Sequence, residues 1–155
     1  MMAVKLVRLI ERNSELLAHS LIQKVAESHK CEEMRKVPRK ELESRAFEVY
    51  QNLSDWLMNR TERDIERTYV ELGKHRCRQG VAFNNVFWAL ILTKENLWDF
   101  LQRECVEETA LDLHCEFELL RALDHFFDRA IYYLSVGYYQ AHQEIAREHA
   151  VVSHA

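Results

Sequence analysis

The chain has 155 residues, 48% of them hydrophobic and 30% charged, which describes one soluble globular domain long enough to bury a core. A net charge of −4 and the lack of a sustained basic stripe argue against nucleic acid as a partner, and no apolar run approaches a membrane span. Three glycines and one proline are too few for a β-rich fold with many tight turns, so the composition points to long helices with short joints.

The first predicted helix runs from Ala3 to His29, with Leu6, Ile10, Leu17, Leu21 and Val25 as its apolar stripe. Lys5 and Arg8 interrupt the apolar pattern of Met1 to Ile10, so this start reads as an amphipathic helix and not as a signal peptide. Lys30 to Val37 is charged and is expected to be a loop. Pro38 opens the second helix, where its missing N–H would have had no partner, and Leu42, Ala46, Val49, Leu53, Trp56 and Leu57 form its inner face.

Thr61 is expected to cap the third helix by accepting from the N–H of Asp64, and Ile65, Tyr69 and Leu72 point inward. The basic run Lys74 to Arg78 and then Gly80 supply the stop. The fourth helix spans Phe83 to Glu104, and its unbroken apolar stretch Val86 to Leu92 predicts burial on all sides.

The fifth helix, Thr109 to His149, has Thr109 and Asp112 as its cap and would reach about 60 Å. It carries two apolar stripes. Leu113, Phe117, Leu120, Phe127, Ile131, Leu134, Tyr138, Ala141 and Ile145 form one, and Leu119, Phe126 and Tyr133 recur every seven residues on a neighbouring face. The second stripe predicts a second partner, here a twin chain. The dimer-interface candidates are Phe126, Tyr133 and Gly137 on the fifth helix, with Tyr139 beside them, and Trp88 and Leu92 on the fourth. The competing arrangement has the first helix covering this face within one chain. The polar turns from Gln143 to Ala155 are expected to project.

The order of features resembles one family. A proline-initiated helix with Trp56-Leu57 is followed by Ile65, Tyr69, Leu72-Gly73, Arg76 and Gly80, then Leu97-Trp98, then Phe127-Asp128-Arg129-Ala130, Tyr133 and Gly137-Tyr138. This is similar to the N-terminal sensory domain of RsbR- and RsbRD-type RsbT co-antagonists, which also precedes some bacterial histidine kinases. The resemblance covers nearly the whole chain and implies an all-α, globin-like domain over residues 1–155, usually without haem, that dimerises through its C-terminal helices. It implies a cytoplasmic signalling role in stress response, with a STAS-domain protein or a kinase receiving the output. Within these 155 residues neither a STAS segment nor a kinase core is recognised, so a free-standing domain is the expectation. A free-standing copy would therefore be expected to sequester ligand or to compete with full-length relatives for dimer partners.

No nucleophile turn and no glycine-rich phosphate loop occurs, so no catalytic residue is assigned. Di-iron bundles need two Glu-x-x-His pairs, and none exists; adjacent His114 and Cys115 point about 100° apart on a helix, so no metal or other cofactor is assigned. His75 sits where a haem ligand would be sought, but Lys74, Arg76 and Arg78 mark it as part of a solvated helix end. Cys31, Cys77, Cys105 and Cys115 are read as free thiols, and the cations beside Cys77 would lower its pKa toward redox reactivity. Trp56, Tyr69, Phe87, Trp98, Phe117, Phe127 and Tyr138 are placed inward. Ligand-pocket candidates are Trp56, Tyr69, Phe87 and Phe127 around an apolar occupant such as a fatty acid, with His75 or Arg76 meeting its carboxylate.

Overall fold

The computed structural model describes the backbone of residues 2–104 and 110–154, and the side chains of residues 4–104 and 117–154. The expected Thr109–Asp112 cap, Leu113, His114, Cys105 and Cys115 lie outside the described side chains. All regular elements among the described residues are helical: α1 (Met2–Arg12), α2 (Ser14–Glu27), a 3-10 segment (His29–Lys36), α3 (Arg39–Gln51), one π-helical turn (Asp55–Asn59), α4 (Glu62–Arg78), α5 (Phe83–Glu104) and α6 (Ala110–Ser153). The fold is all-α.

Two of the expected long helices are broken, each at an asparagine. The Nδ2 of Asn13 donates to the Leu9 carbonyl at 2.8 Å, and that of Asn52 to the Glu48 carbonyl at 3.1 Å. A side chain that bonds the carbonyl four residues back competes with the backbone ladder and ends the helix locally. Asn13 thus divides α1 from α2, and Asn52 ends α3 before the π turn that carries Trp56.

The expected loop after α2 is a 3-10 helix. It is kinked at Cys31, whose φ of −132° and ψ of 38° are not helical; Cys31, Met34 and the extended Val37 after it are buried, and the Ser28 hydroxyl accepts from Lys30 N–H at its start. Pro38 stands at the cap of α3, one position before the first turn, where its carbonyl accepts from Glu41 and Leu42.

Both ends of α4 follow local chemistry. Thr61 and Asp64 form a reciprocal capping box. At the other end the Val81 N–H reaches the Arg76 carbonyl and the Gly80 N–H the Cys77 carbonyl, with Gly80 at φ +80°. That Schellman arrangement needs a residue in the left-handed region, and it tucks the buried Val81 under the helix.

Helix α6 runs for 44 residues, about 66 Å, and packs against α4, α1 and α5. Being flanked on several sides, it buries most of both apolar stripes inside one protomer, with Leu120, Ile131, Tyr133 and Ile145 half-buried. Leu119, Leu123, Phe126, Phe127, Ala130, Leu134, Tyr138 and Ala141 all lie in the core. Phe126 is the hub of an aromatic cluster, its ring centroid 5.5 Å from Trp56, 5.9 Å from Tyr69 and 5.3 Å from Phe127. The second stripe therefore marks a central helix and not a missing partner. Phe117, expected inside, is exposed.

The α4–α6 crossing is set by two glycines. A Cβ built on Gly73 would collide with the Leu134 carbonyl and lie 3.2 Å from the Gly137 Cα; one on Gly137 would collide with the Val70 carbonyl and lie 3.0 Å from Lys74 N. Ion pairs extend the docking: Arg129 to Glu62 at 3.3 Å, Lys74 to Glu144 at 3.2 Å, and Arg78 to Glu144 at 2.9 Å and Glu148 at 3.4 Å. These ion pairs reach as far as Glu148 on the surface, while every residue from Ala146 to His154 is exposed, so the end of α6 stands clear of the core as expected.

Between α2, α3 and α5 lies a buried polar knot. Asn96 donates to the Leu17 carbonyl at 2.9 Å and to the Tyr50 hydroxyl at 3.2 Å, accepts from Ser20 at 3.1 Å, and Tyr50 donates to the Thr93 carbonyl at 3.0 Å. Each partner satisfies another, so burial there carries no unpaired penalty at Asn96.

Candidate functional site

An apolar cavity of about 80 Å³ lies where α2, α3, α4, α5 and α6 meet. Ile22, Ala46, Val49, Ala89 and Leu134 give it an aliphatic wall. Arg45, Leu72 and Arg76 line both this cavity and a wider polar groove outside, between α3 and α4. They are the partition between interior and solvent.

Glu41 organises the groove. It accepts from the Nη1 of Arg76, from Gln79 Nε2 at 3.2 Å, and pairs with His75 Nε2 at 2.7 Å. Arg76 is 2% exposed, so its guanidinium depends on that carboxylate. Burial pushes the Glu41 carboxyl up, but hydrogen bonding and charge from Arg76, with His75 and Gln79, outweigh it and leave the pKa below the usual glutamate value. Two turns further along α3, Glu48 accepts from Trp56 Nε1 at 3.0 Å and stands 3.9 Å from Arg45.

Of the six ligand-pocket candidates, Tyr69 and Arg76 line the cavity. Trp56 and Phe127 are buried in the aromatic cluster beside it. Phe87 faces a different surface groove, with Trp88 and His29, and is half-buried. The expected all-round burial of Val86 to Leu92 fails for the same reason: Phe87, Trp88 and Ile91 line that groove, and Lys30 lies 4.1 Å over the Trp88 ring. His75 is outside, exposed and turned to Glu41, so it does not reach the cavity. Nothing in the apolar spacing of α3 singled out Glu41, whose role follows from meeting a residue 35 positions away.

The Tyr69 hydroxyl is buried with no hydrogen-bond partner, and burial raises its pKa. An unpaired buried hydroxyl is a cost, so Tyr69→Phe is expected to hold or raise stability by up to about 1 kcal/mol in urea denaturation. A loss larger than that would mean that the hydroxyl is satisfied.

Cys77 is a free thiol, but the expected lowering of its pKa is corrected. Burial pushes its pKa up, and Arg78 offsets this only in part. The expected depression toward redox reactivity is absent, although His142 Nε2 lies 3.7 Å from the sulfur. Cys31 is also free, and buried. Among the described residues no group of three or more His, Cys, Asp or Glu side chains could hold a metal ion, and no helix is long and apolar enough to cross a membrane.

The dimer candidates divide. Phe126 and Gly137 are consumed inside the protomer, by the aromatic cluster and the glycine crossing, and are not available to a twin. Trp88, Leu92 and Tyr133 are half-buried against the core. What α6 leaves outside is another stripe, in which Tyr132, Val136, Tyr139, Gln143, Ala146 and Ala150 recur at steps of four and three. Tyr132 is 62% exposed and Tyr139 65%. Its seven-residue spacing is visible in the sequence, but it was masked by the stronger stripes beside it.

No curated protein and no solved structure matches the chain. The model of the RsbT co-antagonist protein rsbRD N-terminal domain matches residues 14–152, from the start of α2 to the end of α6. Those residues include the π turn, the capped α4, the glycine crossing and the cavity wall, and on that match the chain belongs to the rsbRD N-terminal domain family of RsbT co-antagonist proteins.

Proposed function

We propose that this domain is a non-catalytic signalling module of a bacterial cytoplasmic pathway, globin-like in helix arrangement, that works as a homodimer and relays its signal through α6. A STAS-domain protein or a kinase is the receiver that such a module fits. Family membership supports the signalling role. The observation that carries the dimer is the pair of exposed rings Tyr132 and Tyr139 seven residues apart, with the half-buried Val136 between them and Ala146 and Ala150 beyond. Apolar or small residues at steps of three, four and seven are what two parallel helices need to meet along a seam, and Gln143 is the polar position within it. This face replaces Phe126 and Gly137 as the contact. Signal transfer is then a shift of the paired α6 helices, driven by whatever binds one arrangement better than the other.

Equilibrium sedimentation tests the dimer. The wild type is expected to be dimeric at micromolar concentration, and Tyr139→Glu to weaken association about tenfold or more, the equivalent of about 1.4 kcal/mol. A monomeric wild type would remove the reading. A second reading, in which the domain is a small-ligand binder, rests on the cavity beside Tyr69 and Arg76. The absorption spectrum of purified protein tests it for haem, and native mass spectrometry for a co-purified fatty acid.

A further inference from the structure

The cavity has a size and a charge environment that narrow its occupant. We propose that it is a binding site for a small, uncharged, apolar molecule of a few heavy atoms, an apolar gas or short hydrocarbon, and not for haem or a long-chain acid. This rests on the ligand-binding reading above and gives it a chemical class.

The volume, about 80 Å³, is roughly half that of an apolar cavity known to take benzene or xenon. A porphyrin or a long acyl chain needs several times more space. The wall is aliphatic, from Ile22, Val25, Val49, Val86, Ala89 and Leu134. Of the two hydroxyl-bearing residues in the lining, Thr93 already donates to the Ala89 carbonyl at 2.8 Å, and Tyr69, whose hydroxyl is buried without a partner, packs its ring into the aromatic cluster with Trp56 and Phe126. Of the two cations at the rim, Arg76 is hydrogen-bonded to Glu41, and Arg45 stands 3.9 Å from Glu48, within reach of its charge but not hydrogen-bonded to it. A carboxylate entering here would compete with two glutamates, whereas an uncharged molecule meets no such opposition.

The position is suited to sensing. Leu134 lines the cavity from α6, and its carbonyl lies where a Cβ on Gly73 would sit. An occupant therefore presses on the residue that sets how closely α4 and α6 cross. Packed interiors respond to such pressure by discrete rearrangement more than by smooth deformation.

Xenon is the probe, followed by 129Xe NMR and by amide spectra of the wild type, Ala89→Leu and Ala46→Leu. Both alanines line the cavity and are buried, so each leucine fills it from a different helix. The expected result is saturable single-site xenon binding in the wild type with movement of the Leu134 amide signal. Both are expected to be lost in whichever filled variant melts at or above the wild-type temperature. Equal xenon response in the wild type and a folded, filled variant would overturn the site. Single-site octanoate binding that displaces xenon would overturn the assigned class. Sedimentation of the same samples reads the dimer independently, so failure of this site and failure of the α6 seam are distinguishable.

Discussion

Gly137→Ala is expected to destabilise the domain by about 3 kcal/mol or more in urea denaturation of dilute protein. The sign is the informative part. In an uncrowded helix interior, glycine to alanine adds about 1 kcal/mol of stability through helix propensity. That gain is what a glycine reserved for a second chain would give in the isolated protomer. Here a Cβ on Gly137 collides with the Val70 carbonyl, and the nearest atoms of α4 are backbone that cannot rotate away. The helices must separate, and with them the packing of Leu134, Tyr138 and the Lys74–Glu144 pair nearby. Gly73→Ala is expected to behave alike, since it meets the same crossing from the other helix. A gain in stability for either variant would show that α4 and α6 do not cross as described.

Glu41→Ala is expected to cost about 3 kcal/mol, because it leaves the Arg76 guanidinium buried without its counter-charge. The figure belongs at the lower end of the usual range because Glu41 keeps 32% of its side chain exposed. The double variant Glu41→Ala/Arg76→Met is expected to recover most of the loss, since apolar replacement of both partners removes the stranded charge. A double variant as unstable as the single one would mean that the pair acts by packing and not by charge. The same pair sets an acid limit. The native pKa of Glu41 is depressed below its unfolded value, so its contribution is fully present above the ordinary glutamate pKa and is lost as pH falls through the native one. Glu144 is lowered too, by hydrogen bonds from Arg78 and Lys74, so acid also loosens the outer end of the α4–α6 docking. Stability measured against pH should fall on the acid side of the glutamate range, with a smaller fall in Glu41→Gln.

The candidate site was only partly legible in the sequence. Tyr69 lines the cavity from the inward helical spacing on α4, whereas Arg76, set in a cationic run that reads as a solvated helix end, is buried because Glu41 lies opposite it. Phe87, expected inward, lines a surface groove, because a residue's helical face can be counted while the neighbour opposite that face cannot; His75 is exposed, as its cationic neighbours imply, and turns to Glu41 and not to the cavity. Gly137 was understood physically but assigned to the wrong partner. It does bring two backbones close, and the other backbone belongs to Gly73 of the same chain. Asn13 and Asn52 ended helices that hydrophobic periodicity alone would have continued, since their effect lies in a side-chain bond that periodicity does not register.

What could be settled from the order of residues alone is whatever depends on neighbours a few positions apart. The helical class, the Thr61 cap, the glycine stop at Gly80 and the bounds Phe83–Glu104 are all of that kind, because their hydrogen bonds close within one turn. The family was legible too, since it rests on the order of features along the chain. Packing in three dimensions decided the rest. It placed Phe126 inside and Tyr132 and Tyr139 outside, paired Glu41 with Arg76, and left a space beside Leu134. Each of these depends on which helices flank α6, and that follows from burying the most apolar surface across residues far apart in sequence, a sum that no local window contains.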